Sequence, residues 1–428
     1  MAKKTRLSVD LGLSSIKIKK VIIDSNGAYH IYVSCTAISA SCHKCGQKIT
    51  KSYGQCNESI IEHLPILDQR VFIHVKWPRF KCDNCDNNPT TSFSPKWLND
   101  TGELTRAYEN LFLKFLINST VKDVSEKFDT TEEVIEGALN RNIKTSIEWD
   151  EISPKRIGID EIALRKGHSQ YLTIISDISI PKKINIIKVI EGRSKDKILP
   201  FLKTIPQDFL LSLEGISIDM SGSFFSALKD VINDDNYFNG IVTIDRFHVA
   251  KLIGDKVDKE RKKVVNRLKK EFKNDEEKLA QLKSTMWPFR QHPHKLNDDE
   301  NERLQNLFKL EPALKECYKL RENLYEIFEI KDIPKNDAKK KIDEWCKKAG
   351  TYETKGFNPF KSFIETYRKY EENILNYFTH RVSSGPVEGL NNKIKVIKRR
   401  GFGFRNVSNF AKRLFLDINY KRIFLPAT

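Results

Sequence analysis

The spacing of apolar and polar positions changes several times along this chain, and each change predicts an element. Lys17-Ile-Lys-Lys-Val-Ile-Ile23 and Ala28-Tyr-His-Ile-Tyr-Val33 flank Asp24-Ser25-Asn26-Gly27. Asn-Gly between two strand-like runs predicts a hairpin. Val71-Phe-Ile-His-Val-Lys-Trp77 and Arg79-Phe80 extend this β-rich stretch. From Leu104 the period lengthens to that of a helix, with Leu104, Tyr108, Leu111, Phe112 and Phe115 on one apolar face. Ser119-Thr120 then caps a short helix carrying Val121, Val124 and Phe128. Asp129-Thr130-Thr131 restarts a third, with Val134, Ile135 and Leu139 inward. Three short helices with a tight turn before the last match a helix-turn-helix. Glu132, Glu133 and Glu136 on that last helix suit phosphates poorly, so a plain three-helix linker is the competing reading.

Residues 156–245 return to strands. Arg156-Ile-Gly-Ile-Asp-Glu-Ile-Ala-Leu-Arg165 and Gln170-Tyr-Leu-Thr-Ile-Ile-Ser-Asp177 read as a hairpin turning at Lys166-Gly167-His168-Ser169. Lys183–Ile190 is a third strand and Asp196–Leu202 a helix. Gly215–Asp219 is a fourth strand, Ser223–Val231 a helix, and Gly240–Asp245 a fifth strand. Three consecutive strands followed by α-β-α-β is the order of an α/β ribonuclease-H-like core. A right-handed crossover then returns strand four to the side of strand one. Downstream, Leu310, Leu314, Cys317, Leu320, Leu324, Ile327 and Phe328 form one helical stripe, and Phe363, Tyr367, Tyr370, Ile374 and Tyr377 another. An all-α insertion is expected there. The predicted segments are thus an N-terminal β module (1–100), a helix-turn-helix segment (101–150) and the first part of the core (151–248). The all-α insertion (249–380) and a final helix with basic tail (381–428) complete them.

Chemistry enters first through the cysteines. Cys42-His-Lys-Cys45 and Cys82-Asp-Asn-Cys85 are two C-x₂-C knuckles, a pattern suited to one structural Zn²⁺ held by four thiolates. Incidental buried cysteines are the plainer alternative. Cys35 and Cys56 fit neither knuckle, His43, His63 and His74 are substitute ligands, and Cys317 and Cys346 read as core.

The carboxylates come second. Asp160 sits mid-strand, where an acid is costly to desolvate unless a cation meets it; alone it would read as a surface acid. With strand four beside strand one, Asp219 faces Asp160 across one strand spacing, about 4.8 Å. Two carboxylates that close repel unless cations sit between them, and hard oxygen ligands suit a pair of Mg²⁺ ions. Asp245, opening Asp245-Arg-Phe-His248, competes with Asp219 for the second position; an N-cap role is its ordinary alternative. The best third carboxylate is Glu388. It shares one helical face with Asn391, Asn392 and Lys395, while Val387, Leu390, Ile394 and Ile397 form a core-facing stripe. A first-turn acid favoured by the helix dipole is the simpler reading of Glu388 taken singly.

At 428 residues and net charge +17, the chain has room for two or three domains and favours a polyanionic partner. Its abundance of Lys, Asn and Ile, as an AT-rich genome would produce, discounts part of that charge. Lys393, Lys395, Lys398, Arg399, Arg400 and Arg405 adjoin the proposed catalytic helix and are the candidate DNA contacts. Arg261, Lys262, Lys263, Arg267, Lys269 and Lys270 read equally well as a solvated helix face. Met1-Ala-Lys-Lys-Thr-Arg-Leu7 lacks the apolar core of a signal peptide, and no apolar run approaches the ~20 residues of a membrane helix, so a cytoplasmic protein is expected.

Gly158-Ile-Asp160-Glu161, Asp219-Met-Ser-Gly222, Asp245-Arg-Phe-His248 and Ser383-Ser-Gly-Pro-Val-Glu-Gly-Leu-Asn-Asn-Lys393, with the tail Arg400-Gly-Phe-Gly-Phe-Arg-Asn406, together resemble the ISL-three family of bacterial insertion-sequence transposases. The resemblance covers essentially the whole chain. It implies an Asp-Asp-Glu triad, carried onto Asp160, Asp219 and Glu388, and an enzyme that cuts and joins double-stranded DNA at its element's terminal inverted repeats. A homo-oligomer on DNA, acting at the bacterial nucleoid, is implied too. Phe224 departs from the Tyr that the family often carries shortly after its second Asp. A non-catalytic DNA-binding regulator and a nuclease on the same fold are the rival functions.

Overall fold

The computed structural model describes residues 10–164, 170–180, 183–352, 358–380, 385–401, 404 and 406–424, without the side chains of His380 and residues 385–388. The predicted turn at 166–169 therefore lies outside the described residues. The chain forms two compact units: 1–143 with 400–420, and 144–399 with 421–428. The segment 381–428 is thereby divided between them.

The first unit begins with β1 (Ile16–Ile23) and β2 (Tyr29–Cys35), then the short β3 (Ala40–Ser41) and β4 (Lys48–Ile49). β5 (Lys51–Ile66), β6 (Gln69–Lys81) and β7 (Thr90–Ser92) follow. The sheet order is β1-β2-β6-β5, with β7 on β6 and β3 paired to β4. The β1–β2 turn closes as Asp24 Oδ1 accepts from the backbone N–H of Asn26 and of Ala28, both at 2.9 Å. Gly27 takes φ +86°, and a Cβ there would meet Gln69 Oε1 at 2.7 Å. The long β5–β6 hairpin turns at Leu67 and Asp68, both with positive φ, the backbone twist that tight hairpins prefer. Ile31, Val33, Ile61, Val71, Ile73, Val75 and Trp77 fill the core on one face.

Three helices follow: α1 (Arg106–Leu116), α2 (Val121–Lys127) and α3 (Glu132–Asn142). Thr120 and Asp123 form a reciprocal capping box at the start of α2. Glu109 on α1 is fully buried and accepts from Asn99, Arg141 and Asn142. The expected α1 face is rotated in part: Leu113 and Leu116 are buried, while Phe115 is 46% exposed. The C-terminal end of α1 meets a helix far along the chain, Val407–Phe424. Its Arg413 donates to the carbonyls of Leu116 and Ser119, and its Asp417 accepts from Asn118 N–H. The end of α1 is thus tied to a distant part of the chain. Glu109→Ala, which strands Arg141 against a vanished partner, is expected to destabilise this unit by about 3 kcal/mol, read as a lower denaturant midpoint.

The second unit holds β8 (Arg156–Ala163), β9 (Tyr171–Asp177), β10 (Asn185–Glu191), β11 (Gly215–Ile218) and β12 (Val242–Ile244). The sheet order is β10-β9-β8-β11-β12. The first three strands are antiparallel, and β11 runs parallel to both β8 and β12. Every residue of β11 is buried, as expected of a parallel strand covered on both faces. Helices α4 (Lys195–Leu202), α5 (Gln207–Ser212), α6 (Gly222–Lys229) and α7 (Asp235–Ile241) connect the strands.

After β12 the described elements are helical: α8 (Arg246–Glu271), α9 (Glu276–Gln281), α10 (Met286–Arg290) and α11 (Asp298–Leu310). α12 (Pro312–Glu329), α13 (Lys335–Gly350), α14 (Lys361–Lys369) and α15 (Glu371–His380) lead to α16 (Gly385–Arg400), and α17 is the helix Val407–Phe424. Leu314, Cys317, Leu320, Leu324 and Phe328 are buried, as their spacing predicts, and so are Phe363, Tyr367 and Ile374. α15 also protects the β12 edge. Asn373 and Asn376 each donate a side-chain N–H to the carbonyl of Val242, at 3.1 and 2.9 Å.

Candidate active site and metal centre

Strand register assembles the carboxylates. Ile159 of β8 pairs with Ile218 of β11, so the next residues, Asp160 and Asp219, come level on neighbouring strands. Ile218 pairs in turn with Ile244, which sets Asp245 one strand further out. Asp219 thus stands between the other two.

Asp160 is buried, and both its oxygens are oriented. Oδ1 accepts from Glu161 N–H at 2.7 Å and Oδ2 from the Asn391 side-chain amide at 2.5 Å. Asn391 lies on α16, whose Leu390, Ile394 and Ile397 are buried as the stripe predicts. Asp219 Oδ1 accepts from Ser221 N–H at 2.8 Å. Burial pushes the Asp219 carboxyl up to about 6; Ser221 N–H and His248 oppose the rise, and the charges of Glu161 and Asp160 add to it. Asp245 serves its own helix, since its Oδ1 caps α8 by accepting from Phe247 N–H at 2.9 Å. Burial raises the Asp245 carboxyl as well.

Asp160, Glu161, Asp219, His248, Lys251 and Asp255 line a cavity of about 430 Å³, to which Arg193 also contributes. Arg193 pairs with Glu161 at 3.0 Å and lies over the Tyr171 ring. Motif and spacing alone do not single out Arg193, Lys251 or Asp255. A signal exists for two of them, because His248, Lys251 and Asp255 recur at helical spacing on α8. Glu388 belongs to α16, three positions before Asn391, and its side chain lies outside the described residues.

The knuckles also converge. Sγ atoms of Cys42, Cys45, Cys82 and Cys85 all lie within 4.8 Å of one another. Cys42–Cys85 is 3.9 Å, while Cys45–Cys82 and Cys82–Cys85 are 3.8 Å. A tetrahedron with Zn–S bonds near 2.3 Å has edges of about 3.8 Å, so the four sulfurs fit zinc. Backbone N–H groups of Cys45 and Lys44 pull the Cys42 thiol down to about 6, toward the thiolate a metal requires, while the crowding of sulfurs, Cys45 first, pushes Cys85 up. The substitute ligands are engaged elsewhere: His43 with Thr91, His63 with Thr105, and His74 with His30. Cys317 and Cys346 are buried, as expected.

A family model described as a transposase, of the ISL-three type, matches residues 157–414, well over half of the chain. The chain belongs to the ISL-three family of transposases. A second model, the zinc-finger of transposase IS204/IS1001/IS1096/IS1165, matches residues 39–85, which hold all four cysteines. Over 391 residues the protein is 25% identical to the transposase for insertion sequence element IS1001 of Bordetella parapertussis, spanning 90% of this chain and 91% of that one. It is 22% identical over 411 residues to the transposase for IS1557 of Mycobacterium tuberculosis, spanning 91% and 88%.

The transposase's basic residues divide by their partners. Lys395 and Arg399 are exposed on α16, as is Asn392, and Lys393 is partly buried there. Lys398 donates to the carbonyl of Ala163, and Arg400 is held by the Asn118 carbonyl and side chain. Arg405 lies outside the described residues. In the earlier basic run, Arg261 is buried against Asp258, Lys262 also reaches Asp258, and Arg267 meets Glu271 and Glu311. No helix among the described residues is long and apolar enough to cross a membrane.

Proposed function

We propose that this transposase binds the terminal inverted repeats of its element and cuts and joins DNA at a ribonuclease-H-like site, with Asp160, Asp219 and Glu388 holding two Mg²⁺ ions. The observation that carries this is the level placement of Asp160 and Asp219 on neighbouring strands, with Asn391 of the helix that contains Glu388 bonded to Asp160. The strand order β10-β9-β8-β11-β12 supports the fold assignment. The donor set fits hard divalent cations: the two aspartates lie close, and among the described residues neither has an ion-pair partner. Glu161 differs, being neutralised by Arg193. Asp219 is favoured over Asp245 because it adjoins Asp160 and lines the cavity, whereas Asp245 stands one strand further out.

Asp160, Asp219 and Glu388 would hold the divalent cations, whose Lewis acidity would activate an attacking water or 3′-hydroxyl and stabilise the leaving oxygen. The chain's own groups orient and attract. Asn391 and the Glu161 N–H fix Asp160, the Ser221 N–H fixes Asp219, and Lys251 draws the phosphodiester toward the acids. The zinc ribbon, the helices α1–α3 read as a helix-turn-helix, and Lys393, Lys395, Lys398, Arg399, Arg400 and Arg405 provide end and backbone contacts, with phosphates supplying most of the affinity. Pairing two ends calls for a homo-oligomer on DNA.

The test is an in vitro reaction on DNA carrying the element's ends, with Mg²⁺. Wild type should cleave and join. Asp219→Ala should bind and not cut, whereas Asp245→Asn should still cut; the reverse pattern would transfer the second ligand to Asp245. Cleavage without joining would indicate a nuclease, and binding with no cleavage a regulator. Asn391→Ala, which frees one oxygen of Asp160, is expected to slow cleavage about 10- to 100-fold while leaving the binding isotherm unchanged.

A further inference from the structure

Beside the carboxylate cavity lies a larger one, about 730 Å³, built by α8, α10 and α12 and lined by Phe247, Lys251, Trp287, Lys295 and Tyr325 among others. Two of its aromatic rings stand open among the described residues: Trp287 is 56% exposed and Phe247 47%. Large aromatic rings left in water are costly and mark binding surfaces. The cations of the wall fall into two sets. Arg246 pairs with Glu329 at 2.7 Å, and Arg290 with Asp258 at 2.6 Å. Lys251 and Lys295 are exposed and form no ion pair among the described residues. The two cavities are neighbours, since Lys251 and Asp255 line both.

We infer that this cavity receives an unpaired nucleotide of the DNA strand processed at the adjoining carboxylates, its base stacking on Trp287 and its phosphate meeting Lys251 and Lys295. The volume falls in the range of small-molecule sites. Exposed aromatic faces interleaved with lysines are the surface that single-stranded nucleic acid uses, because every base has a face to stack and every nucleotide a charge to neutralise. A duplex keeps its bases stacked on one another and offers Trp287 nothing comparable. The inference rests on the proposed DNA chemistry for its location, and it is read out by binding alone.

The test uses the full-length protein with no Mg²⁺ added, and two fluorescent duplexes of the element end, one blunt and one carrying a three-nucleotide single-stranded tail. The tailed duplex is expected to bind about tenfold more tightly than the blunt one. Trp287→Ala should remove that preference without weakening blunt-duplex binding, and Trp287→Phe should keep most of it. Trp287 is largely exposed, so its truncation costs the fold little, and the blunt-duplex isotherm checks this. Equal affinity for both duplexes in wild type, or a preference that survives Trp287→Ala, overturns the inference. Asp219→Ala separates the two readings: it should lose cleavage and keep the tail preference. Retained cleavage in that variant would count against the carboxylate assignment alone.

Discussion

Asp160→Ala is expected to abolish DNA strand cleavage, by about a thousandfold or more, while leaving the protein folded and able to bind its ends. A thousandfold corresponds to about 4 kcal/mol of transition-state stabilisation, a loss consistent with removing a ligand from a metal-assisted phosphoryl transfer. The folded state should not suffer. Asp160 is buried, and its charge is one of the influences that push the Asp219 carboxyl upward. Without metal, deleting it relieves repulsion, so the thermal midpoint should stay level or rise. The two outcomes together discriminate, because an ordinary surface acid would move neither quantity and a structural one would lower stability with activity. Thermal unfolding in chelator beside a gel-based cleavage assay measures both. Activity within tenfold of wild type would remove Asp160 from the site.

Cys82→Ser is expected to release the zinc and unfold the ribbon. Among the described residues the apolar cluster under the knuckles is small: Cys42, Ile49, Phe80 and Cys82 are buried, with Ala40, Cys85 and Phe93 packed against them, and three of these seven are themselves ligands. So small a core cannot hold its own fold, whereas structural zinc in comparable small modules contributes on the order of 10 kcal/mol. Bound zinc should fall from one per chain to near zero, and proteolysis should open the region around residues 39–92. The unit beginning at Lys144 has an extensive apolar core of its own and should remain resistant. A Cys82→Ser protein with full zinc content and an intact ribbon would show that fewer than four thiolates suffice.

Much of this arrangement is legible without coordinates where it depends on near neighbours. The knuckles, the Asn26-Gly27 turn, the capped α2 and the α12 stripe follow from spacing, since turns, caps and helical faces are settled within a few residues. The order of strands and helices also implies that strand four returns beside strand one, because crossovers have a fixed hand. Side-chain partners are harder to read. The carbonyl of Leu116 accepts from Arg413, nearly three hundred positions away, and no local period records that. Arg261 has the spacing of a solvated basic face, yet the fold buries it against Asp258.

The acids show the division most clearly. That Asp160, Asp219, Asp245 and Glu388 are the carboxylates to consider, and that four cysteines are spaced for one metal, was determined by the sequence. Which of them come level on neighbouring strands was decided by tertiary structure. In-register pairing of β8 with β11 sets Asp160 level with Asp219, and capping commits Asp245 to the start of α8. The bond from Asn391 to Asp160 spans 231 positions, and it exists because the buried stripe of α16 fixes which face of that helix carries its amides. Local chemistry names the groups; packing, through register and buried faces, chooses their neighbours.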